Sequence, residues 1–233
     1  MSGVLPFPTL AMHRSDRIRL FNFPNEATQW ITDAVVASTW PHKDVAISHK
    51  DTYVEFKLGG YPWLPNGEDT VHARRLMQQI LFTFRTNGYA LYTSTGIFNN
   101  ELSKDILIFE QREPCTLSMF SISLNQHDTL RVIDAPHDIV ELITTCIQTN
   151  YAGGSVRVSE YTPGCQQFKL WSSPWFDGLK PFGTMIVAHV FAQLNAAGWR
   201  LYATIKQTTK SDKNAKDSWY FVYAPEAKLV GFT

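Results

Sequence analysis

The amino-acid sequence contains two copies of one pattern, and this internal repeat constrains the fold more than any other feature. Residues 16–24 read DRIRLFNFP and residues 128–136 read DTLRVIDAP, an offset of 112 positions. The same offset relates FKLGGYPW at 56–63 to FKLWSSPW at 168–175. A fixed internal period indicates that one structural unit is built twice. Features that both copies share are most simply structural, whereas a feature of one copy alone is a candidate for function.

Each copy has the same order of predicted elements. A short strand (18–21 and 130–133) precedes a helix whose apolar residues are spaced i, i+3, i+4, i+7 and i+8. An extended stretch follows, and the Thr-Pro-Gly at 162–164 indicates a hairpin turn within it. A long helix and two further strands complete the order β-α-β-β-α-β-β.

This order predicts an α+β fold built by tandem internal duplication. We expect each repeat to place its helices on one face of an antiparallel sheet, and the two halves to pack as a pseudo-twofold body. The predicted segments are an N-terminal extension 1–15, repeat 1 at 16–113, a connecting strand in 114–127, repeat 2 at 128–225 and a C-terminal tail 226–233.

Composition and charge narrow the classes of function. Of the 233 residues 44% are hydrophobic and 18% are charged, which is typical of a folded globular protein. Twenty-one basic residues balance 21 acidic ones, whereas a dedicated duplex-binding protein usually carries a basic excess. The chain starts with no signal-peptide pattern and has no long apolar run. We therefore expect an intracellular protein, cytoplasmic or nuclear, without a membrane span.

The sequence lacks the common catalytic and metal-binding motifs. It contains no GxSxG, HExxH, P-loop or GxGxxG pattern, and its seven histidines match no metal-ligand spacing. The three cysteines form no CxxC, and two of them, Cys146 and Cys165, align with Ala34 and Tyr53 in the first copy. We predict no catalytic residue, no metal site and no cofactor. A nucleophile assembled in space would still permit an enzyme of unfamiliar type, with a pocket between the repeats.

The Phe-Lys-Leu and Pro-Trp motif is the strongest signal common to both copies. Lys57 and Lys169 lie between apolar residues of a strand, so they face away from the Phe and Leu side chains. Trp63 and Trp175 either close the end of the core before the long helix or, with the lysines, bind an anionic or aromatic ligand. Since both copies keep the motif, the structural interpretation is favoured.

The long helices of the two copies differ in chemistry. The first carries Arg74, Arg75 and Arg85 off its apolar stripe, which predicts a basic face toward water. The second is apolar around most of its circumference, and such a helix is normally covered on more than one side, by the other repeat or by a partner chain. Its candidate interface residues are Phe182, Met185 and His189.

These features favour a non-enzymatic binding or adaptor protein. Such a protein would hold a protein partner in the cleft between the repeats or on the apolar long helix of repeat 2, and self-association through that helix is a further possibility. The alternative is nucleic-acid or phosphate-ligand binding through the basic face of the first long helix, with Lys57 and Lys169. An enzyme of unfamiliar type is the third hypothesis.

Overall fold

The chain forms two compact α+β units. The structure is a computed structural model that describes residues 6–97, 104–176, 181–208 and 217–225. The first unit comprises Met1–Leu117 and Ile205–Asp212, and the second comprises Ser118–Thr204 and Lys213–Thr233. Each unit has one six-stranded antiparallel sheet and two helices. The duplicated α+β architecture predicted from the repeat is confirmed.

The first unit contains six strands and two helices. Its sheet has the strand order β3-β4-β2-β1-β6-β5. The elements are β1 (Thr9–His13), β2 (Arg17–Phe21), α1 (Ala27–Ala37), β3 (Val45–His49), β4 (Val54–Leu58), α2 (Asp69–Thr86), β5 (Tyr89–Thr95) and β6 (Ile106–Gln111).

The second unit repeats this arrangement. Its strand order, β11-β12-β7-β8-β10-β9, is the order of the first sheet read from the opposite edge. The elements are β7 (Met119–Asn125), β8 (Thr129–Ile133), α3 (His137–Asn150), β9 (Val156–Thr162), β10 (Cys165–Leu170), α4 (Phe182–Ala196), β11 (Trp199–Ile205) and β12 (Ser218–Tyr223).

Each unit contains one more strand than the sequence analysis placed in a repeat. β1 lies in the predicted extension 1–15 and β7 in the predicted connection 114–127, yet each is a central strand paired on both sides. β1 was missed because its sequence TLAMH has little of the β-branched and aromatic enrichment typical of strands. The observed order is therefore β-β-α-β-β-α-β-β. The predicted tail 226–233 lies outside the described residues.

In the first unit the core lies between the sheet and both helices. The ring of Phe84 in α2 is 5.1 Å from that of Phe109 in β6 and 5.7 Å from that of Trp30 in α1. Both helices therefore cover the same face of the sheet. Alternate residues of the two central strands point into this core, as the pleat requires. They are Leu10, Met12, Ile18 and Leu20.

The second unit has an equivalent core. One cluster of buried side chains joins Phe120 and Ile122 of β7 to Ile143 of α3 and to Ile186 and Leu194 of α4. The opposite face of this sheet also carries buried side chains, most of them small or uncharged. They include Ser121, Ser123, Thr129, Cys165 and Tyr220.

In each unit two backbone hydrogen bonds hold the end of the fourth strand and the Pro-Trp loop against the turn before the second strand. They have the same geometry in both copies and fall at positions 112 residues apart, so the duplication extends to individual peptide groups. The donors and acceptors are Leu58 N to Asp16 O (2.8 Å), Trp63 N to Ser15 O (2.9 Å), Leu170 N to Asp128 O (2.8 Å) and Trp175 N to His127 O (3.0 Å).

The first unit also includes a segment from the loop that follows β11. The side-chain amide of Gln207 is buried and donates to the carbonyl oxygen of Ala73 in α2, at 3.1 Å. Asp105 and Lys206 bind each other twice: Lys206 N donates to Asp105 Oδ2 at 2.7 Å, and Asp105 N donates to Lys206 O at 3.2 Å. This unit is therefore discontinuous in sequence.

The start of α4 packs tightly on the Pro-Trp loop, and Gly183 makes this contact possible. A Cβ at this position would lie 2.4 Å from the carbonyl oxygen of Pro174, so loop and helix would have to separate. We expect Gly183→Ala to lower the free energy of unfolding by about 1–3 kcal/mol in denaturant titrations. Thr184→Ala, at the exposed neighbouring position, is the control and should change it by less than about 0.5 kcal/mol. Equal stability of the two variants would contradict this account.

Candidate binding surfaces

In the first unit the lysine and the tryptophan of the Phe-Lys-Leu and Pro-Trp motif lie in different environments. Trp63 is fully buried, and its Nε1 donates to the carbonyl oxygen of Arg17 at 2.8 Å. Lys57 is exposed, between the buried Phe56 and Leu58, and lines an open depression of about 340 Å³. The indole is therefore part of the core and does not form a ligand site with the lysine.

In the second unit the motif has the same backbone bonds but weaker side-chain contacts. Trp175 is partly buried, and its Nε1 is buried without a hydrogen-bond acceptor among the described residues. Lys169 is exposed and lies 3.5 Å from the carboxylate of Asp128. A surface ion pair of this kind contributes little to stability. These contacts favour a structural role for the motif.

The two tryptophans give a matched pair of variants. Trp63→Phe removes a hydrogen bond and leaves the carbonyl of Arg17 without that donor, so we expect it to lower the free energy of unfolding by about 1–3 kcal/mol beyond the lost packing. Trp175→Phe removes a donor that has no acceptor, so it should cost less. Denaturant titration of both variants measures the difference. A larger loss for Trp175→Phe would contradict the assignment.

The prediction that Arg74 belongs to an exposed basic face of α2 is wrong. This residue is only 4% exposed, and its guanidinium donates to the carbonyl oxygen of Thr70 at 3.0 Å. The reason is helical geometry, because Arg74 lies three residues after the buried Val71 and three before the buried Met77. Position 74 therefore belongs to the buried side of the helix.

The other two arginines of α2 do not form a basic face with Arg74 either. Arg75 is half-buried. The guanidinium of Arg85, near the end of the helix, donates to the carbonyl oxygen of Glu113, and the carbonyl of Arg85 accepts from Cys115 N at 3.2 Å. Arg85 thus fixes the segment that follows β6.

α4 is buried on one side only. Gly183, Ile186, Val190 and Leu194 face the core, and Phe182 packs partly against it. In the single chain Met185 is 47% exposed, so cover of this helix on a second side by a partner chain stays a prediction. The exposed positions of α4 are Thr184, Met185, Ala188, His189, Ala192, Gln193, Asn195 and Ala196.

The loop before α4 adds two exposed aromatic rings. Trp171 is 69% exposed and Phe176 is 66% exposed. The hydroxyl of Tyr151 donates to the carbonyl of Trp171, and the ring of Phe176 lies 4.6 Å from that of His127. We group Trp171, Phe176 and Met185 with His189, one helical turn after Met185, and call these four exposed residues the apolar surface of the second unit. The contact shown between loop and helix is that of Gly183 with Pro174 and Trp175. Sequence reasoning identified its helical part and missed the loop.

A second surface lies on the face of the first sheet opposite the helices. Glu55 is buried and accepts hydrogen bonds from Arg17 and from Arg19 Nε, the latter at 2.7 Å. The guanidinium of Arg19 lies 5.0 Å from the centroid of the Tyr53 ring. We call Arg17, Arg19 and Glu55 the arginine–glutamate cluster.

The two arginines of the cluster lower the pKa of Glu55. Burial alone would raise the pKa of Glu55, but the hydrogen bonds from Arg19 and Arg17 outweigh it, so the pKa lies below the ordinary value of 4.5. Sequence reasoning missed the cluster. The available signal was that Arg17 and Glu55 align with the uncharged Thr129 and Gln167.

The lowered pKa of Glu55 predicts a specific pH dependence. A depressed folded pKa gives a stabilisation that is present above the unfolded value and lost as the pH falls through the folded value. We expect wild type to lose stability relative to Glu55→Gln as the pH falls below 4.5, and the difference to be constant near neutral pH. Unfolding titrations across this range measure it. A difference that does not change below pH 4.5 would contradict the prediction.

The described ranges show no group of three His, Cys, Asp or Glu residues that could hold a metal ion. The described residues form no disulfide; Cys146 and Cys165 are buried and Cys115 is partly exposed. Within the same ranges, no helix is both long and apolar enough to span a membrane.

One domain family model matches the sequence twice, over residues 6–110 and 118–222. Both matches include the additional first strand of each unit, and they start 112 residues apart, at the period of the repeat. No curated protein and no solved structure matches the chain.

Proposed function

The chain belongs to the domain family whose model matches both of its halves, and we propose that the second half is the protein-binding half of a non-enzymatic binding protein. The observation that carries this proposal is the exposure of three large apolar side chains of the second unit, Trp171, Phe176 and Met185. Soluble proteins rarely leave large apolar side chains together in water unless the surface binds a partner.

The comparison between the copies supports this choice of surface. At the offset of 110 that applies to the long helices, Met185 and Ala188 on the outer side of α4 are apolar where α2 has the charged Arg75 and the polar Gln78. This difference belongs to one copy, so the common fold does not require it. The paired positions are Met185 with Arg75, Ala188 with Gln78, and His189 with Gln79.

The chemistry of the surface defines its partner. α4 contains no Asp, Glu, Lys or Arg. Pairing of this helix with another apolar helix would therefore bury no charged group and bring no like charges together. Tryptophan, phenylalanine and methionine are residues that anchor protein interfaces. A second copy of this chain supplies a complementary apolar surface, and a twofold pairing would place α4 against α4. We take the second copy as the occupant of this surface.

The contacts of its arginines make α2 a less favourable candidate for phosphate binding. Arg74 is buried, and Arg85 binds the carbonyl of Glu113. A helix whose arginines are used in this way offers few guanidinium donors to a phosphate chain.

We expect the wild-type protein to form a dimer with a mass of twice 26.5 kDa in light scattering. Met185→Glu places a charge in the centre of the apolar surface and should give a folded monomer. Because the contact is apolar, added salt should not dissociate the wild-type dimer.

The matched control is Tyr61→Glu in the equivalent loop of the first unit, where Tyr61 is 65% exposed. This variant should remain dimeric. Circular dichroism establishes that both variants are folded. A monomeric wild type at high protein concentration, or a dimer that survives Met185→Glu, would refute the proposal.

A further inference from the structure

The arginine–glutamate cluster has more positive than negative charge. Two guanidiniums share the carboxylate of Glu55, and Asp16 Oδ1 lies 3.8 Å from Arg17 Nε, beyond hydrogen-bond distance. The exposed Lys57 is directly opposite Arg17 on the neighbouring strand. The side chains of Arg17 and Arg19 are 25% and 29% exposed, so both are partly desolvated and still accessible.

One neighbouring group responds to the charge of the cluster. Burial is the largest cause that lowers the pKa of His13, the charges of Arg19 and Arg14 follow, and Glu55 acts in the opposite direction. The nearby guanidiniums therefore disfavour a further positive charge on His13. An anion bound at the cluster would relieve that repulsion.

We propose that this face of the first unit binds a phosphate-bearing ligand through the guanidiniums of Arg17 and Arg19. Guanidinium groups donate several hydrogen bonds in one plane and match the oxygens of phosphate. Glu55 holds both groups before the ligand arrives, so less side-chain entropy is lost on binding. Glu55 is therefore a positioning residue, and its charge also opposes the ligand.

A cavity next to the cluster provides room for the rest of such a ligand. Its volume is about 230 Å³, and Tyr53, which lies under Arg19, forms part of its wall. His49 and Lys50 also line it, and its lining includes no Asp or Glu. The cavity and the cluster are linked through Tyr53, and Lys50 supplies the cavity with one cation.

Comparison with the equivalent residues of the second copy shows which contacts of this cluster both copies share and which occur only in the first. Arg131 Nε donates to Gln167 Oε1 at 3.0 Å, which is the counterpart of the bond from Arg19 to Glu55. Thr129, at the position of Arg17, is only 4% exposed. The arginine-to-acceptor bond is therefore common to both copies, and the second guanidinium belongs to the first copy alone.

The test measures binding of three probes by calorimetry at low salt: inorganic phosphate, adenosine monophosphate and a short single-stranded oligonucleotide. Comparable binding of all three indicates a site for one phosphate group. Preference for the nucleotide indicates that the cavity holds more than the phosphate. Preference for the oligonucleotide, with affinity falling steeply as salt increases, indicates a nucleic-acid strand. Absence of binding by all three would overturn the proposal.

Two variants take their residues from the second copy and are expected to act in opposite directions. Arg17→Thr should weaken phosphate binding about tenfold or more, because it removes charged donors. Glu55→Gln should strengthen it severalfold, since it keeps an acceptor for Arg19 and removes the opposing charge. Lys169→Gln in the second unit is the control and should leave binding unchanged.

A spectroscopic readout is independent of stability. The imidazole pKa of His13, followed by NMR, should rise toward 6.5 when phosphate is added to the wild type and should not respond to phosphate in Arg17→Thr. Equal binding by wild type, Arg17→Thr and Glu55→Gln would refute the assignment. These measurements do not involve α4, so their failure would leave the proposal for the second unit untouched.

Discussion

The hydrogen bonds between each Pro-Trp loop and the turn before the second strand control much of the rest of the structure. They bring the end of the fourth strand of each unit to the start of its second strand, and so fix where the long helix begins. Trp63 then fills the core in the first unit, while the loop of the second unit leaves Trp171 and Phe176 exposed. Backbone hydrogen bonds therefore determine the loop geometry that both units share, and the side chains on that loop differ between the units.

Sequence periodicity predicted the features that depend on one face of an element being buried. The apolar stripes of the helices and the duplication are of this kind, since burial requires them at every repeat of the period. β1 was missed because it is short and rich in residues without strand preference. Arg74 was misplaced because a charged residue on the buried side of a helix is indistinguishable by type from one in water.

Neither candidate surface could be predicted in full from spacing alone. The arginine–glutamate cluster joins strands whose residues are 36 positions or more apart, so only the strand pairing brings them together. The apolar surface of the second unit required a measure of exposure, because Phe182 and Met185 are both apolar residues of one helix yet only Met185 is well exposed. The differences between copies were nevertheless visible, as in the replacement of Glu55 by Gln167.

The incorporation of Ile205–Asp212 into the first unit has a consequence for biosynthesis. A nascent chain that has emerged from the ribosome only as far as Leu117 lacks Gln207, whose side-chain amide donates to the carbonyl of Ala73. It also lacks the backbone of Lys206, which bonds Asp105. The amino-terminal half therefore cannot reach its finished state during early translation. Its completion waits for the synthesis of the segment that begins at Ile205, although vectorial synthesis would otherwise favour independent folding of the first domain.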